Sequence, residues 1–179
     1  DAIARLRQLR PVVNPNRAFT QQLQQLERQL RARRDAAPLS IETLSSNAPL
    51  ERVFFLFEHY VESLGFSLDF QSYFHEKECE MYLQAGNCLL VAKLGDEIVG
   101  LVGLRQLDTD VCEMKRLFVM NAARRKGIAE KLVNELIEKA KEMKYKEMKL
   151  DSVEELIGAK KLYEKLNFKP CEPYYNNPW

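Results

Sequence analysis

The sequence predicts an α/β fold in which a mixed, mostly antiparallel sheet is flanked by helices and preceded by a helical extension. Short apolar runs that suit strands alternate with helical patterns through most of the 179 residues. The clearest helical pattern follows Gly127, where apolar side chains recur every three or four residues: Ile128, Leu132, Val133, Leu136, Ile137, Ala140 and Met143. A strand ending at Val119 precedes this helix, and a basic loop connects the two.

The other elements are assigned in chain order from the same periodicities. A helix is predicted over residues 50–64 and a shorter one over 73–83. Strands follow over 88–94 and 98–106, and Gly95-Asp96 between them is typical of a tight hairpin turn. After the helix over 127–143 we expect a strand over 147–152, a helix over 154–166 and a final strand that begins at Phe168.

Charge and cysteine usage exclude several functional classes. The net charge of +1 predicts no bulk attraction to nucleic acid or to a membrane. No apolar run approaches the roughly 20 residues of a membrane-spanning helix. The four cysteines show no C-x-x-C pairing and no nearby histidine at ligand spacing, which indicates free thiols in a reducing cytosol. We therefore expect a cytoplasmic protein that holds no metal.

The first 38 residues differ in composition from the rest. Their basic residues are all arginine and give a net charge of +5, whereas the lysine-rich residues 39–179 have a net charge of −4. An apolar stripe at helical spacing (Phe19, Leu23, Leu26, Leu30) predicts a helix that packs against something. Residues 1–38 are therefore interpreted as a separate helical extension or the remnant of a preceding domain, and residues 39–179 as one domain.

The loop Arg124–Ala129 has the composition of an anion site. First-turn N–H groups of a helix lack intrahelical partners and lie at the positive end of the helix dipole. Gly127 has no side chain to keep a phosphate away, and three basic residues precede it. A solvated basic turn is the alternative interpretation of this loop taken alone.

Several motifs in order over residues 40–179 resemble one known family. The loop matches the signature R/Q-x-x-G-x-G/A, with Ala129 as the permitted last residue. The flanking segments resemble the same family in the same order: 112–119 before the signature, then 150–152, 159–168 and 173–178 after it. Together they resemble the GNAT superfamily of acyl-CoA-dependent N-acyltransferases.

This resemblance implies acetyl-CoA as the acyl donor. It places the pyrophosphate on the loop and the pantetheine along the backbone of the preceding strand. The implied cofactor-binding residues are Leu117, Phe118, Val119, Arg124, Arg125, Lys126, Gly127, Ile128 and Ala129. A backbone N–H near Val119 is the family's candidate for polarising the thioester carbonyl.

Tyr163 and Glu113 are the two candidate catalytic residues. Tyr163 falls on the tyrosine of the family's Leu-Tyr-x-x-x-Gly-Phe pattern, which implies that its phenol protonates the departing thiolate; core packing is the alternative. Glu113 shares strand parity with Leu117 and Val119, so we expect it to face the cleft and begin removal of the amine's proton; a solvated strand glutamate is the alternative. Asn167 replaces the glycine of the pattern and tolerates the left-handed conformation of a helix C-cap.

The leading hypothesis is an N-acetyltransferase that moves an acetyl group from acetyl-CoA to an amine acceptor by direct transfer. One alternative is a non-catalytic acyl-CoA-binding or interaction module. Another is an accessory fragment of a larger phosphatase–acyltransferase protein, because short motifs in residues 10–23 resemble the last two helices of a dual-specificity protein phosphatase domain. A homodimer, or an upstream domain packed on residues 1–38, would cover the apolar stripe.

Overall fold

The computed structural model describes residues 17–45, 48, 50–64, 75–153 and 156–174. The helices are α1 (Arg17–Ala36), α2 (Glu51–Leu64), α3 (His75–Tyr82), α4 (Ile128–Glu142) and α5 (Ile157–Lys165). The strands are β1 (Leu39–Thr43), β2 (Cys88–Leu94), β3 (Glu97–Gln106), β4 (Val111–Val119) and β5 (Glu147–Lys149), and a short 3-10 turn covers Asn121–Ala123.

The chain divides into two compact units. The described part of the first unit contains α1, the start of β1 and the turn between β2 and β3, where the N–H of Gly95 donates to the carbonyl of Pro38 at 3.0 Å. The apolar stripe does form the predicted helix, and Phe19, Leu26 and Leu30 on it are about half exposed.

The second unit contains most of a mixed five-stranded sheet with the order β1-β2-β3-β4-β5. β3 pairs with β4 antiparallel, whereas β4 pairs with β5 parallel. A sheet flanked by helices is the predicted fold class, which is confirmed. β1 was not predicted, because its largely exposed five residues carry too little apolar alternation.

Two glycines of β3 allow helices to approach opposite faces of the sheet. A side chain at Gly103 would overlap the ring of Tyr82, which is 1% exposed at the end of α3. A Cβ at Gly100 would lie 3.3 Å from Leu132 of α4 and 2.9 Å from the carbonyl oxygen of Phe118. Since residues 100 and 103 differ by an odd number, the two glycines face opposite sides, and α3 and α4 pack on opposite faces.

The hydrophobic core lies on both faces of the sheet. On one face, α2 and α3 bury a cluster against β2, β3 and β4 that includes Val53, Leu56, Phe57, Tyr82, Leu89, Leu101 and Phe118. On α4, the predicted apolar stripe is buried at Ile128, Leu132, Val133, Leu136 and Ala140. Each of the larger side chains in these two sets stabilises the fold by about 1.5–3 kcal/mol through removal from water, and Ala140 contributes less. This packing fixes β4, the strand that carries most of the site.

The end of the chain departs from the expected elements. β5 ends at Lys149 instead of residue 152, and the described residues 168–174 contain no strand, so the strand predicted from Phe168 is wrong over that range. Asn167 does adopt the expected left-handed conformation, with φ 65°, just after α5. The motifs read in residues 1–16 lie outside the described residues.

Candidate active site

A β-bulge in β4 changes which side chains share a face. The register with β3 shifts between Leu101 and Gly103, and Arg116 has a φ of 58°. A left-handed conformation is uncommon for a residue other than glycine, asparagine or aspartate and costs of order 1–2 kcal/mol. Lys115 is paired with Gly103 and Phe118 with Leu101, so the extra residue lies between them. Side chains of β4 alternate between the two faces of the sheet, and this alternation therefore changes phase at the bulge.

β4 and β5 stop pairing after Glu113 and Lys149, because β5 ends there while β4 continues to Val119. Beyond this point a cavity of about 460 Å³ opens beside β4. Every residue from Met114 to Val119 lines it, together with Tyr60 of α2, Asp151 and Ser152 after β5, and Leu162 and Tyr163 of α5. We call this cavity the cleft. An extended ligand could follow the edge of β4 there as an added strand would.

The basic loop turns the chain from the end of β4 into α4. Gly127 precedes the helix with a φ of 73°, and a Cβ at this position would meet no atom within 4 Å. Arg125 also has a positive φ, of 65°. The space beside Gly127 at the start of α4 is therefore open, as an anion site at a helix N-terminus requires.

The predicted donor-binding residues do not all face the cleft. Leu117, Phe118, Val119, Arg124 and Ala129 line it, whereas Arg125, Lys126 and Gly127 are exposed on the loop and Ile128 is buried in the core. The Nε of Arg124 donates to the carbonyl of Val119 at 3.0 Å, and its guanidinium lies 5.9 Å from the centre of the Phe118 ring. Arg124 therefore joins the loop to the end of β4.

Tyr163 lies in the wall of the cleft opposite β4. Its ring makes an edge contact with Phe168 at 6.0 Å between centroids. Burial raises the pKa of the phenol above its ordinary value of 10.0, and the neighbouring Tyr60 and Asp151 raise it further. The hydroxyl is therefore protonated throughout the neutral range. Tyr163 packs against an aromatic neighbour and also faces the cleft. A packing role and a role as general acid are therefore compatible.

Glu113 does not line the cleft. Because the bulge intervenes, Glu113 lies on the face of Lys115 and Phe118 and not on that of Val119, which corrects the parity expected from the sequence. Its carboxylate is fully buried. Oε2 lies 2.6 Å from Nη2 of Arg105, in ion-pair contact without hydrogen-bond alignment, and Oε1 accepts a 3.0 Å hydrogen bond from the hydroxyl of Tyr174.

Lys115 and Asp151 face the cleft and were not given a role from the sequence. The Nζ of Lys115 lies 3.4 Å from Oε1 of Glu113, and its side chain is 8% exposed. Burial lowers the pKa of this ammonium; the attraction of Glu113 and Asp151 opposes the shift, and repulsion from Arg116 and Arg105 adds to it. Asp151 lies inside the strand predicted over 147–152, so its position beside the cleft was not predicted.

Among the described residues, no group of three or more His, Cys, Asp or Glu side chains could hold a metal ion. Over the same part of the chain, no helix is long and apolar enough to cross a membrane.

Comparison with known proteins identifies the family. The profile of the acetyltransferase (GNAT) family matches residues 53–168. An uncharacterised N-acetyltransferase of Schizosaccharomyces pombe is 32% identical over 146 residues, which cover 78% of this chain and 88% of that protein. Other relatives, from Dictyostelium discoideum, Escherichia coli, Bacillus subtilis and Homo sapiens, are matched over 32% to 56% of their own length.

Solved structures agree on the fold. A GNAT family acetyltransferase from Elizabethkingia anophelis with acetyl-CoA bound has a TM-score of 0.58 and 23% identity, covering 75% of this chain and 78% of that chain. The aminoglycoside N-acetyltransferase AAC(6')-Iy, solved with the bisubstrate analogue CoA-S-monomethyl-acetylneamine, has a TM-score of 0.63 and 18% identity, covering 80% of this chain and all of that chain. The chain therefore belongs to the GNAT family of acetyltransferases and is an N-acetyltransferase.

Proposed function

We propose that this N-acetyltransferase binds acetyl-CoA along the open edge of β4 and transfers its acetyl group directly to an amine held in the cleft. The observation that carries this proposal is the separation of β4 from β5 after Glu113 and Lys149, which leaves residues 114–119 facing the cleft. Relatives named N-acetyltransferases and fold neighbours solved with acetyl-CoA or a CoA conjugate support it.

The loop and the start of α4 would hold the donor's pyrophosphate. Gly127 keeps the approach to the helix N-terminus open, and Arg124, Arg125 and Lys126 supply positive charge. The backbone of Leu117, Phe118 and Val119 would pair with the pantetheine, and an N–H near Val119 would polarise the acyl carbonyl. Bound acetyl-CoA supplies an activated acyl carbon and a thiolate leaving group.

Tyr163 is proposed as the general acid. It faces the cleft, and its raised pKa keeps the proton on its oxygen at neutral pH. Desolvation also disfavours a bare thiolate in the same cleft, which helps proton transfer from a weakly acidic phenol. In this step a bond forms between the amine nitrogen and the acyl carbon, the bond from that carbon to sulfur breaks, and the phenol proton moves to sulfur. The phenolate then regains a proton from the nitrogen of the new amide.

The amine's own proton is assigned to Asp151. Among the described residues that line the cleft, Asp151 is the one carboxylate, whereas Glu113 is buried beside Arg105. Catalysis by Glu113 stays a prediction, and its position would require a relay through Lys115. A carboxylate that contacts an ammonium group can both bind it and accept its proton, directly or through water.

Two broader expectations also remain proposals. Buried free thiols at Cys79, Cys88 and Cys112 support a reducing, cytoplasmic setting. The exposed apolar side chains of α1 support either a homodimer or an upstream domain, phosphatase-like or not, that packs on residues 1–38.

The function is tested by steady-state kinetics with a panel of primary amines. Mass spectrometry should find an N-acetylated product formed in equal amount with CoA thiol. Initial velocities at several concentrations of both substrates should give intersecting double-reciprocal lines, as direct transfer requires. Parallel lines would indicate an acyl-enzyme and contradict direct transfer. Acetyl-CoA binding without any acetylated amine would favour the non-catalytic module.

A further inference from the structure

Phe118 has an aromatic side chain at a position where the proposed donor contacts need only the backbone. Pairing with the pantetheine uses main-chain groups, which any residue at this position supplies. The ring is 7% exposed, lines the cleft and belongs to the core cluster beneath α2. Core packing explains an apolar side chain here, so a role specific to an aromatic ring has to come from the other contacts of the ring.

The ring contacts the basic residue that joins the loop to β4. Of the three basic residues of the loop, Arg124 lines the cleft. Its guanidinium carbon lies 5.9 Å from the centre of the Phe118 ring, which is within the range of a cation–π contact. Its Nε also donates to the carbonyl of Val119 at 3.0 Å. Two consecutive residues of β4 therefore hold one planar group, and this hydrogen bond does not use the N–H donors of the two terminal nitrogens.

Holding this guanidinium is useful because Arg124 is exposed. An exposed arginine samples many rotamers in solution, and it loses that freedom when it binds a ligand. A side chain that is already fixed loses less, so the ligand binds more tightly. Since the planar guanidinium binds phosphate oxygens in a bidentate manner, fixing its plane also favours the productive orientation.

The bulge in β4 and the helix α2 together place the ring. Lys115 is paired with Gly103 and Phe118 with Leu101, so the two side chains of β4 share a face although their positions differ by an odd number. Strict alternation would put the ring on the opposite face, away from α2. On the observed face it makes an edge contact with Tyr60 of α2, at 6.2 Å between centroids and an interplanar angle of 73°. Tyr60 therefore helps to fix the ring.

These contacts assign a role to the side chain of Phe118 in donor binding. We propose that Phe118 is a positioning residue whose ring holds the guanidinium of Arg124 at the wall of the cleft, where Arg124 binds the pyrophosphate of acetyl-CoA. This role rests on the proposed function and adds a side chain of β4 to the backbone contacts assigned there. An aliphatic residue of similar size would keep the core packing and lose the contact with the guanidinium.

The test is a double-mutant cycle on the affinity for acetyl-CoA, measured by titration calorimetry on the purified full chain without an amine. Phe118→Leu should weaken binding about three- to fivefold, as expected for an exposed cation–π contact. Arg124→Ala should weaken it about tenfold or more, because a charge-assisted contact with phosphate is lost. In the Arg124→Ala background, Phe118→Leu should change the affinity by less than about 1.5-fold, since the guanidinium that the ring holds is gone.

Phe55→Leu is the matched control. Phe55 on α2 has the guanidinium of Arg52 over its ring, at 4.6 Å from the centre, but it is not among the described residues that line the cleft. The same substitution there should leave the affinity for acetyl-CoA within about 1.5-fold of wild type. Melting temperatures are measured alongside. Phe118→Met, whose flexible side chain refills space in a core, repeats the cycle if Phe118→Leu folds poorly.

The results separate positioning by the ring from core packing. Equal losses from Phe118→Leu with and without Arg124, or no loss in either background, would overturn the positioning role. An Arg124→Ala protein that binds acetyl-CoA as tightly as wild type would overturn it as well. A chain that reproduces the cycle but acetylates no amine of the panel would keep this role and contradict the proposed transfer. Wild type that binds no acetyl-CoA would contradict the proposed function, and the positioning role with it.

Discussion

Glu113 on β4 is paired with Lys149 on β5, and the two strands separate directly beyond this pair. At this pair, Glu113 is buried beside Arg105. Beyond it, the edge of β4 from Met114 to Val119 faces the cleft. The position where parallel pairing stops therefore sets where a donor can lie.

The first prediction concerns the loop before α4. Gly127→Glu should abolish most of the rise in melting temperature that acetyl-CoA gives, because it adds bulk and negative charge where the pyrophosphate is expected. Gly127→Gln is the matched control, since it carries the same bulk and the same strain at φ 73° without the charge. Repulsion predicts a larger loss for Glu than for Gln. Equal thermal shifts in wild type and Gly127→Glu would rule out the assignment.

The second prediction concerns the phenol of Tyr163. Tyr163→Phe keeps the ring that contacts Phe168 and removes one hydroxyl, so the fold should be stable. If the hydroxyl protonates the thiolate, kcat should fall by about 10²-fold or more while the affinity for acetyl-CoA changes little. A thioester with a more acidic thiol should restore part of the rate. Turnover within about threefold of wild type would leave only the packing role.

The third prediction separates structure from catalysis at Glu113. Glu113→Gln removes the buried anion that contacts Arg105 and Lys115 and should lower the free energy of unfolding by about 2–4 kcal/mol. The same change at Glu135, which is exposed on α4, should cost less than about 0.5 kcal/mol. Chemical denaturation measures both. A Glu113→Gln protein of normal stability with lost turnover would support the base role predicted from the sequence.

The fourth prediction follows from two buried thiols. Burial raises the pKa of Cys88 and of Cys112 from 9.0 to about 11. Above pH 9 the unfolded chain therefore releases these protons while the folded chain keeps them, so stability falls as pH rises to about 11 and then levels off. Each thiol contributes at most about 2–3 kcal/mol to this loss. The slope should be shallower in Cys88→Ala/Cys112→Ala and unchanged in Cys171→Ala, whose site is exposed. Equal slopes in all three proteins would contradict the prediction.

Local patterns in the sequence were enough to predict most of the fold and the loop. The stripe of α4 and the glycine at its start depend on residues close together in the chain, so their arrangement can be read directly. The bulge at Arg116 cannot be predicted in this way, because the apolar and polar pattern of β4 gives no sign of an inserted residue. One inserted residue was enough to move Glu113 from the expected face of the strand to the other one.

The positions of Lys115 and Asp151 beside the cleft depend on a contact between separate segments. The strand pattern around each of them suggests no chemistry by itself. They line the same cleft only because β4 and β5 stop pairing after Glu113 and Lys149. The edge strand β1 was missed for the opposite reason, since few of its residues are buried. Elements with strong periodicity were therefore predictable, whereas features set by tertiary contacts were not.

The most direct test of the central claim is amide hydrogen exchange of the full chain with and without acetyl-CoA, read by peptide mass spectrometry. Bound acetyl-CoA should slow exchange at residues 114–119 of β4 and in the first turn of α4, with little change at the outer end of the β2–β3 hairpin. Both protected segments should lose the effect in Gly127→Glu. Protection confined to other parts of the chain, in a protein that still binds acetyl-CoA, would contradict donor binding along the open edge of β4.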